Sequence, residues 1–183
     1  ITVSGGEPLL QIDFLLDLFK KAKAKGIHTT IDTAGGPFTR EEPFFSKFQE
    51  LMQYTDLLLV DIKHIDEKSH KELTGKTNKN ILDMIRFLSD IKKPVWIRHV
   101  VVPGITFDQT ELYRLGQFIA SLNNVKALDV LPYHDMGKTK YEKLGIDYVL
   151  KDTLPLEKSQ ALAARRLILS AIRETRASSH PRK

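Results

Sequence analysis

Ile1-Thr2-Val3-Ser4-Gly5-Gly6-Glu7-Pro8 opens the chain, and a helical stretch over 9–25 follows it directly. The first residues read as the end of a buried strand, and Ser4 to Pro8 as the turn out of it. Two glycines at the point where a strand stops and a helix has not begun allow positive φ and close approach of another molecule to the main chain. Glu7 sets a carboxylate beside that backbone. A short glycine motif is weak evidence alone, and an ordinary tight βα turn is the plain alternative. The rest of the chain gives the motif its weight, because the strand-then-helix unit repeats.

Strand-like runs at 1–4, 28–32, 57–62, 95–102 and 127–131 alternate with helical ones. The strands are rich in Val, Ile, Leu and Thr, and nearly continuous apolar runs indicate strands covered on both faces, as in a parallel sheet. Helices are expected over 9–25, stopped by Gly26, over 42–54, and over 80–91 ahead of Pro94. A fourth opens at Asp108 with Glu111 three residues on, an aspartate form of the capping box. A last one opens near Pro155. One domain is expected over 1–175, with a frayed polar tail at 176–183. Parallel strands with right-handed crossovers make either an open doubly wound sheet or part of a (β/α) barrel.

Composition bounds the function. The 183 residues are 42% hydrophobic and 28% charged, an ordinary globular balance. No run is apolar and long enough for a membrane helix and no signal-peptide layout appears, so the cytoplasm is the default. The net charge is +5 without an aromatic-interleaved basic stripe, which argues against nucleic acid. There is no cysteine, hence no disulfide, no thiolate nucleophile and no thiolate for an iron–sulfur cluster. Ile1 lies in a strand already under way, so an upstream strand is expected to be missing.

In parallel α/β folds, chemistry gathers at the carboxyl ends of the strands. Those ends here carry Gly5, Gly6 and Glu7; Asp32 and Thr33; Asp61, Ile62, Lys63 and His64; Arg98 and His99; and Tyr133 with His134. Each has a plain reading: Asp32 as a turn cap, Asp61 with Lys63 as a satisfied ion pair, His134 as a core histidine. Arg98 inside the apolar run 95–102 is harder to explain that way, since a buried guanidinium needs an anionic partner. The mixed signs suit a zwitterionic ligand better than a phosphate.

The set Ser-Gly-Gly-Glu-Pro at 4–8, Asp-Thr-Ala-Gly at 32–35, Val-Asp-Ile-Lys-His at 60–64, Trp-Ile-Arg-His-Val-Val-Val-Pro-Gly at 96–104 and Leu-Pro-Tyr-His at 131–134 resembles the glycyl-radical-enzyme activases of the radical SAM superfamily, nearest to those acting on pyruvate formate-lyase. The resemblance runs from residue 1 to about residue 170. It implies a partial parallel (β/α) barrel, truncated at its N-terminus, that binds S-adenosylmethionine (SAM) and a [4Fe–4S] cluster. The implied reaction generates a 5′-deoxyadenosyl radical that removes a glycine hydrogen from a partner glycyl-radical enzyme, with flavodoxin or ferredoxin as electron donor. By the same resemblance, Gly5, Gly6 and Glu7 hold the methionine amine and Lys63 meets its carboxylate. Asp32, Thr33, Asp61 and Ile62 lie beside it, with a monovalent cation at Asp32, Thr33 and Asp61. Arg98 and His134 line the ribose and adenine side.

Two departures stand out. Ala34 replaces the family's Asn or Ser, and the family's Cys-x3-Cys-x2-Cys loop has no counterpart in these residues. The chain alone is therefore expected to be inactive, and to self-associate through its first strand. Two other readings fit the residues: a barrel enzyme with Lys63 as a Schiff-base lysine, and a non-enzymatic module that binds an acidic partner.

Overall fold

In the computed structural model, which describes residues 1–179, a five-stranded sheet takes its strands in chain order: β1 (Thr2–Val3), β2 (Thr30–Thr33), β3 (Leu57–Asp61), β4 (Val95–Val101) and β5 (Val125–Pro132). The pairs β1–β2, β2–β3 and β3–β4 are parallel. Each connection is therefore a crossover, and parallel crossovers of one hand carry helices along one side of a sheet. The helices are α1 (Ile12–Ala24), α2 (Phe44–Gln53), α3 (Glu67–Thr74), α4 (Lys79–Asp90), α5 (Gln109–Ala120), α6 (Lys138–Leu144) and α7 (Lys158–Ser179).

Local chemistry sets the ends of these helices. A single 3-10 turn at Pro8–Gln11 precedes α1, with Pro8 at its first position, where the missing N–H costs nothing. Gly26, at φ 70°, stops α1 as expected. The Asp108 side chain accepts from the Glu111 amide at 3.0 Å, which realises the expected cap of α5. Asp66 caps α3 in the same way through the Ser69 amide, and Gly75 ends α3 in the left-handed region. The first four residues of the expected frayed tail, 176–179, form the last turn of α7; its remainder, 180–183, lies outside the described residues.

The expectation of strands covered on both faces is corrected. Register places Ile31, Leu58, Val60, Val95 and Ile97 on one face, and all of them are fully buried. Asp32, Leu59, Asp61, Trp96 and Arg98 share the opposite face, where Trp96 is 42% exposed. A continuous apolar run cannot reveal this, because hydrophobicity alone does not say which alternate residues meet a neighbour. Expected strand residue Ile1 is also 48% exposed rather than buried, since β1 is an edge strand with β2 as its neighbour.

Within the chain two compact units are distinguished. The first comprises Ile1–Arg98 with Leu122–Asp129, the second His99–Ser121 with the chain from Val130 onward. The first unit buries Leu15 and Phe19 of α1 and Ile85 and Leu88 of α4. Phe38 packs edge-on against Phe44, Phe45 and Phe48. In the second unit, α5 and α7 approach so closely that a Cβ on Gly116 would lie 2.5 Å from the Ala171 Cβ and 2.7 Å from the Ile168 carbonyl oxygen.

Candidate functional site

The loop after β1, the ends of β2 and β3, and Arg98 within β4, all in the first unit, carry the polar groups of the site. Gly5 (φ 91°) and Gly6 (φ 56°) are left-handed, and a Cβ on either would meet nothing within 4 Å. Their main chain thus borders open space, the situation in which glycine admits a ligand close to the backbone. Gly35 is different: it too is left-handed, but a Cβ there would strike the Met84 side chain at 2.6 Å, so its smallness serves packing.

Glu7 is tied to the end of β2. Its Oε1 accepts from the Leu9 amide (3.1 Å) and the Thr33 hydroxyl (2.5 Å), and its Oε2 accepts from the Ala34 amide (3.0 Å). A carboxylate has about four acceptor positions; three are filled, and the two taken by Thr33 and Ala34 staple the first loop to the second. Ala34 thus makes its contact through its backbone, whatever its side chain lacks. The turn after β2 is capped by Thr33, whose hydroxyl accepts from the Gly35 amide at 2.8 Å; Asp32, the residue weighed for that role, points elsewhere.

Asp32 and Asp61 are bridged by Arg98. The guanidinium Nε donates to Asp61 Oδ1 at 2.5 Å, and Nη2 and Nη1 donate to the Asp32 carboxylate at 2.5 and 3.3 Å. Lys63 Nζ donates to the second Asp61 oxygen at 2.7 Å, so the ion pair weighed from sequence is formed. Burial pushes the Asp61 carboxyl up, but the Arg98 hydrogen bond and the Lys63 charge outweigh it, and Asp61 ends below its ordinary range. The Asp61 hydrogen bond in turn holds Arg98 above its ordinary value, burial notwithstanding. The four groups alternate in sign and sum to zero charge, which makes a partly buried ionic network tolerable.

Neighbouring backbone holds this network in place. Ile62 is buried and its amide donates to the Arg98 carbonyl at 2.9 Å. His64, also buried, accepts from the Asp66 amide at 3.0 Å. A residue the sequence reading passed over, Asn78, is buried and donates its amide to the carbonyls of His64 (3.0 Å) and Ile65 (2.9 Å), which fixes the loop that carries Lys63. The one available signal was an asparagine just ahead of a helix, which usually means a cap. A cavity of about 600 Å³ lies beside these groups, lined by Glu7, Ala34 and Lys63 together with Leu10, Pro37 and Ile81. That volume is within the range of small-ligand pockets. His134 belongs to the second unit, exposed just beyond β5. Among the described residues no group of three or more His, Asp or Glu is arranged to hold a metal ion, and the 183 residues include no cysteine.

Comparison with known proteins places this arrangement. The radical SAM superfamily matches residues 1–116. The pyruvate formate-lyase-activating enzyme of Staphylococcus epidermidis is 54% identical over 155 residues, which are 85% of this chain and 62% of that protein. The chain therefore spans somewhat under two thirds of that relative's length. Among solved structures, a domain of pyruvate-formate lyase-activating enzyme from Bacteroides vulgatus has a TM-score of 0.74 at 26% identity, covering 93% of each chain. Streptococcus suis SuiB bound to S-adenosylmethionine shares the fold, with a TM-score of 0.55 at 17% identity over 84% of this chain and 36% of that one. Parallel βα units, a Gly-Gly-Glu turn bordering open space, and a charged set at the strand ends thus coincide with family-level identity across most of the chain: the chain belongs to the radical SAM superfamily.

Proposed function

We propose that this chain is the SAM-holding part of an activase for a glycyl-radical enzyme of the pyruvate formate-lyase type. The observation that carries the reading is that Glu7 and Lys63 line one cavity in the first unit, while the main chain at Gly5 and Gly6, next to Glu7 in sequence, borders open space. SAM ends in an amino acid, an amine and a carboxylate on one carbon. The open main chain at Gly5 and Gly6, with the remaining acceptor position of Glu7, suits the amine, and the half-exposed Lys63 ammonium suits the carboxylate. The donor set therefore fits SAM. Asp61 orients Lys63, and Arg98 with Lys63 keeps Asp61 charged. Ile62 sits between as a buried backbone anchor.

SAM with a reduced [4Fe–4S] cluster supplies hydrogen-atom abstraction in this superfamily. The residues of this chain do not fit the cluster, because thiolates are its ordinary ligands and the sequence has none. The isolated chain is accordingly proposed to be inactive. What its residues do is bind and orient the amino-acid end of SAM and hold charge in place. A flavodoxin or ferredoxin as electron donor belongs to the same proposal.

The test is made on the whole gene product, anaerobically, with reductant, SAM and pyruvate formate-lyase. A glycyl-radical doublet should appear in the lyase by electron paramagnetic resonance. Lys63→Ala should weaken SAM binding by about tenfold or more, since a charge-assisted hydrogen bond contributes about 1.5–3 kcal/mol. A Lys63→Ala protein with unchanged SAM affinity would refute the site. Borohydride trapping of a carbonyl compound on Lys63 would favour a Schiff-base enzyme instead.

A further inference from the structure

Family resemblance implies a monovalent cation held by Asp32, Thr33 and Asp61, but these side chains do not converge. Successive residues of a strand point to opposite faces. Asp32 lies on the face it shares with Asp61, whereas the Thr33 hydroxyl is committed on the other side to Glu7 and Gly35. The space between the two carboxylates is taken by Arg98, which spans from β4 across β3 to β2. Both Asp32 oxygens and one Asp61 oxygen accept from its guanidinium, and the last Asp61 oxygen accepts from Lys63.

We propose that Arg98 is the resident cation of the Asp32–Asp61 pair in the ligand-free chain, and that an alkali ion enters only by displacing its guanidinium. A tethered cation is present at high effective concentration, and its planar fork satisfies two carboxylates at once where a spherical ion would leave oxygens to water. Ion entry and release of Arg98 are then one event. Arg98, once released, offers its fork to an anionic group elsewhere. The inference requires no SAM, so it stands or falls separately from the proposed function.

Melting of the full chain tests it in potassium, sodium and tetramethylammonium chloride at equal ionic strength. Wild type should melt at the same temperature in all three salts. Arg98→Ala leaves Asp32 without a cation and Asp61 with Lys63 alone. Its Tm should be higher by about 2–4 °C in potassium or sodium than in tetramethylammonium, and millimolar methylguanidinium should restore it. A saturable, ion-specific rise in the wild-type Tm would overturn the proposal, as would an Arg98→Ala protein indifferent to the salt. Should that variant fail to fold, thallium(I) resonance on the wild type decides: no saturable broadening is expected, and saturable broadening abolished by Asp32→Asn would overturn it.

Discussion

At Asp56, burial pushes the carboxyl up, while hydrogen bonds from the Lys23 ammonium and from Thr29 outweigh it and bring the group to about 2. An unfolded aspartate titrates near 3.9 (roughly). The folded value is the lower one, so the stabilisation is complete above the unfolded value and is lost as pH falls toward the folded one. Urea midpoints of the wild type should fall between about pH 5 and pH 2, and Asp56→Asn should flatten that window. Asp61, also depressed, adds to the same slope. Neither residue could be sized from sequence. The rim position of Asp61 was legible, because strand ends are where polar residues interrupt apolar runs. Its partner in Arg98 was legible only as a requirement that some anion be near. The stapling role of Glu7 was not legible at all, since its donors come from a loop twenty-six residues on.

Among the elements, the α5–α7 crossing is the most sharply defined. Gly116 lets the backbone of α5 reach the Ile168 carbonyl and the Ala171 methyl. Gly116→Ala gains up to about 1 kcal/mol of helix propensity, yet overpacking of a filled site costs about 1–3 kcal/mol. The overpacking should win, because one of the two obstacles is backbone. A lowered urea midpoint is expected, with only partial recovery on adding Ala171→Gly; an unchanged or raised midpoint would show that the helices separate freely. The strands and the longer helices were readable from apolar spacing and caps, to within a few residues. Helices α3 and α6 were not, because they lack the apolar stripe on which such reading depends: α3 buries only His70, and α6 buries nothing. Asp66 and Gly75 marked the two ends of α3 all the same.

For the molecule as a whole, the open side of the sheet matters most. β1 is the edge strand beside β2. Its inner side is tied down: the Thr30 amide donates to the Ile1 carbonyl at 2.8 Å, and the Ile1 ammonium donates to the His28 carbonyl at 2.5 Å. Its outer side carries none of the usual guards, no charged side chain, proline or bulge within Thr2–Val3. Sedimentation over a range of concentrations should therefore show reversible dimers or larger species. A clean monomer with slow amide exchange at Thr2 and Val3 would mean that the edge is shielded by other means. The alternation of a buried and a half-open face across β2 to β4 escaped the sequence reading, as it arises from what covers each side and not from composition.

The same edge makes the chain a natural acceptor for complementation. A short synthetic strand, rich in β-branched residues and soluble by virtue of terminal lysines, would compete with any second copy for one lane of backbone donors and acceptors. Tagged with a fluorophore, such a peptide would turn the exposed lane of β1 into a reporter, its signal rising as dimers give way to one-to-one adducts.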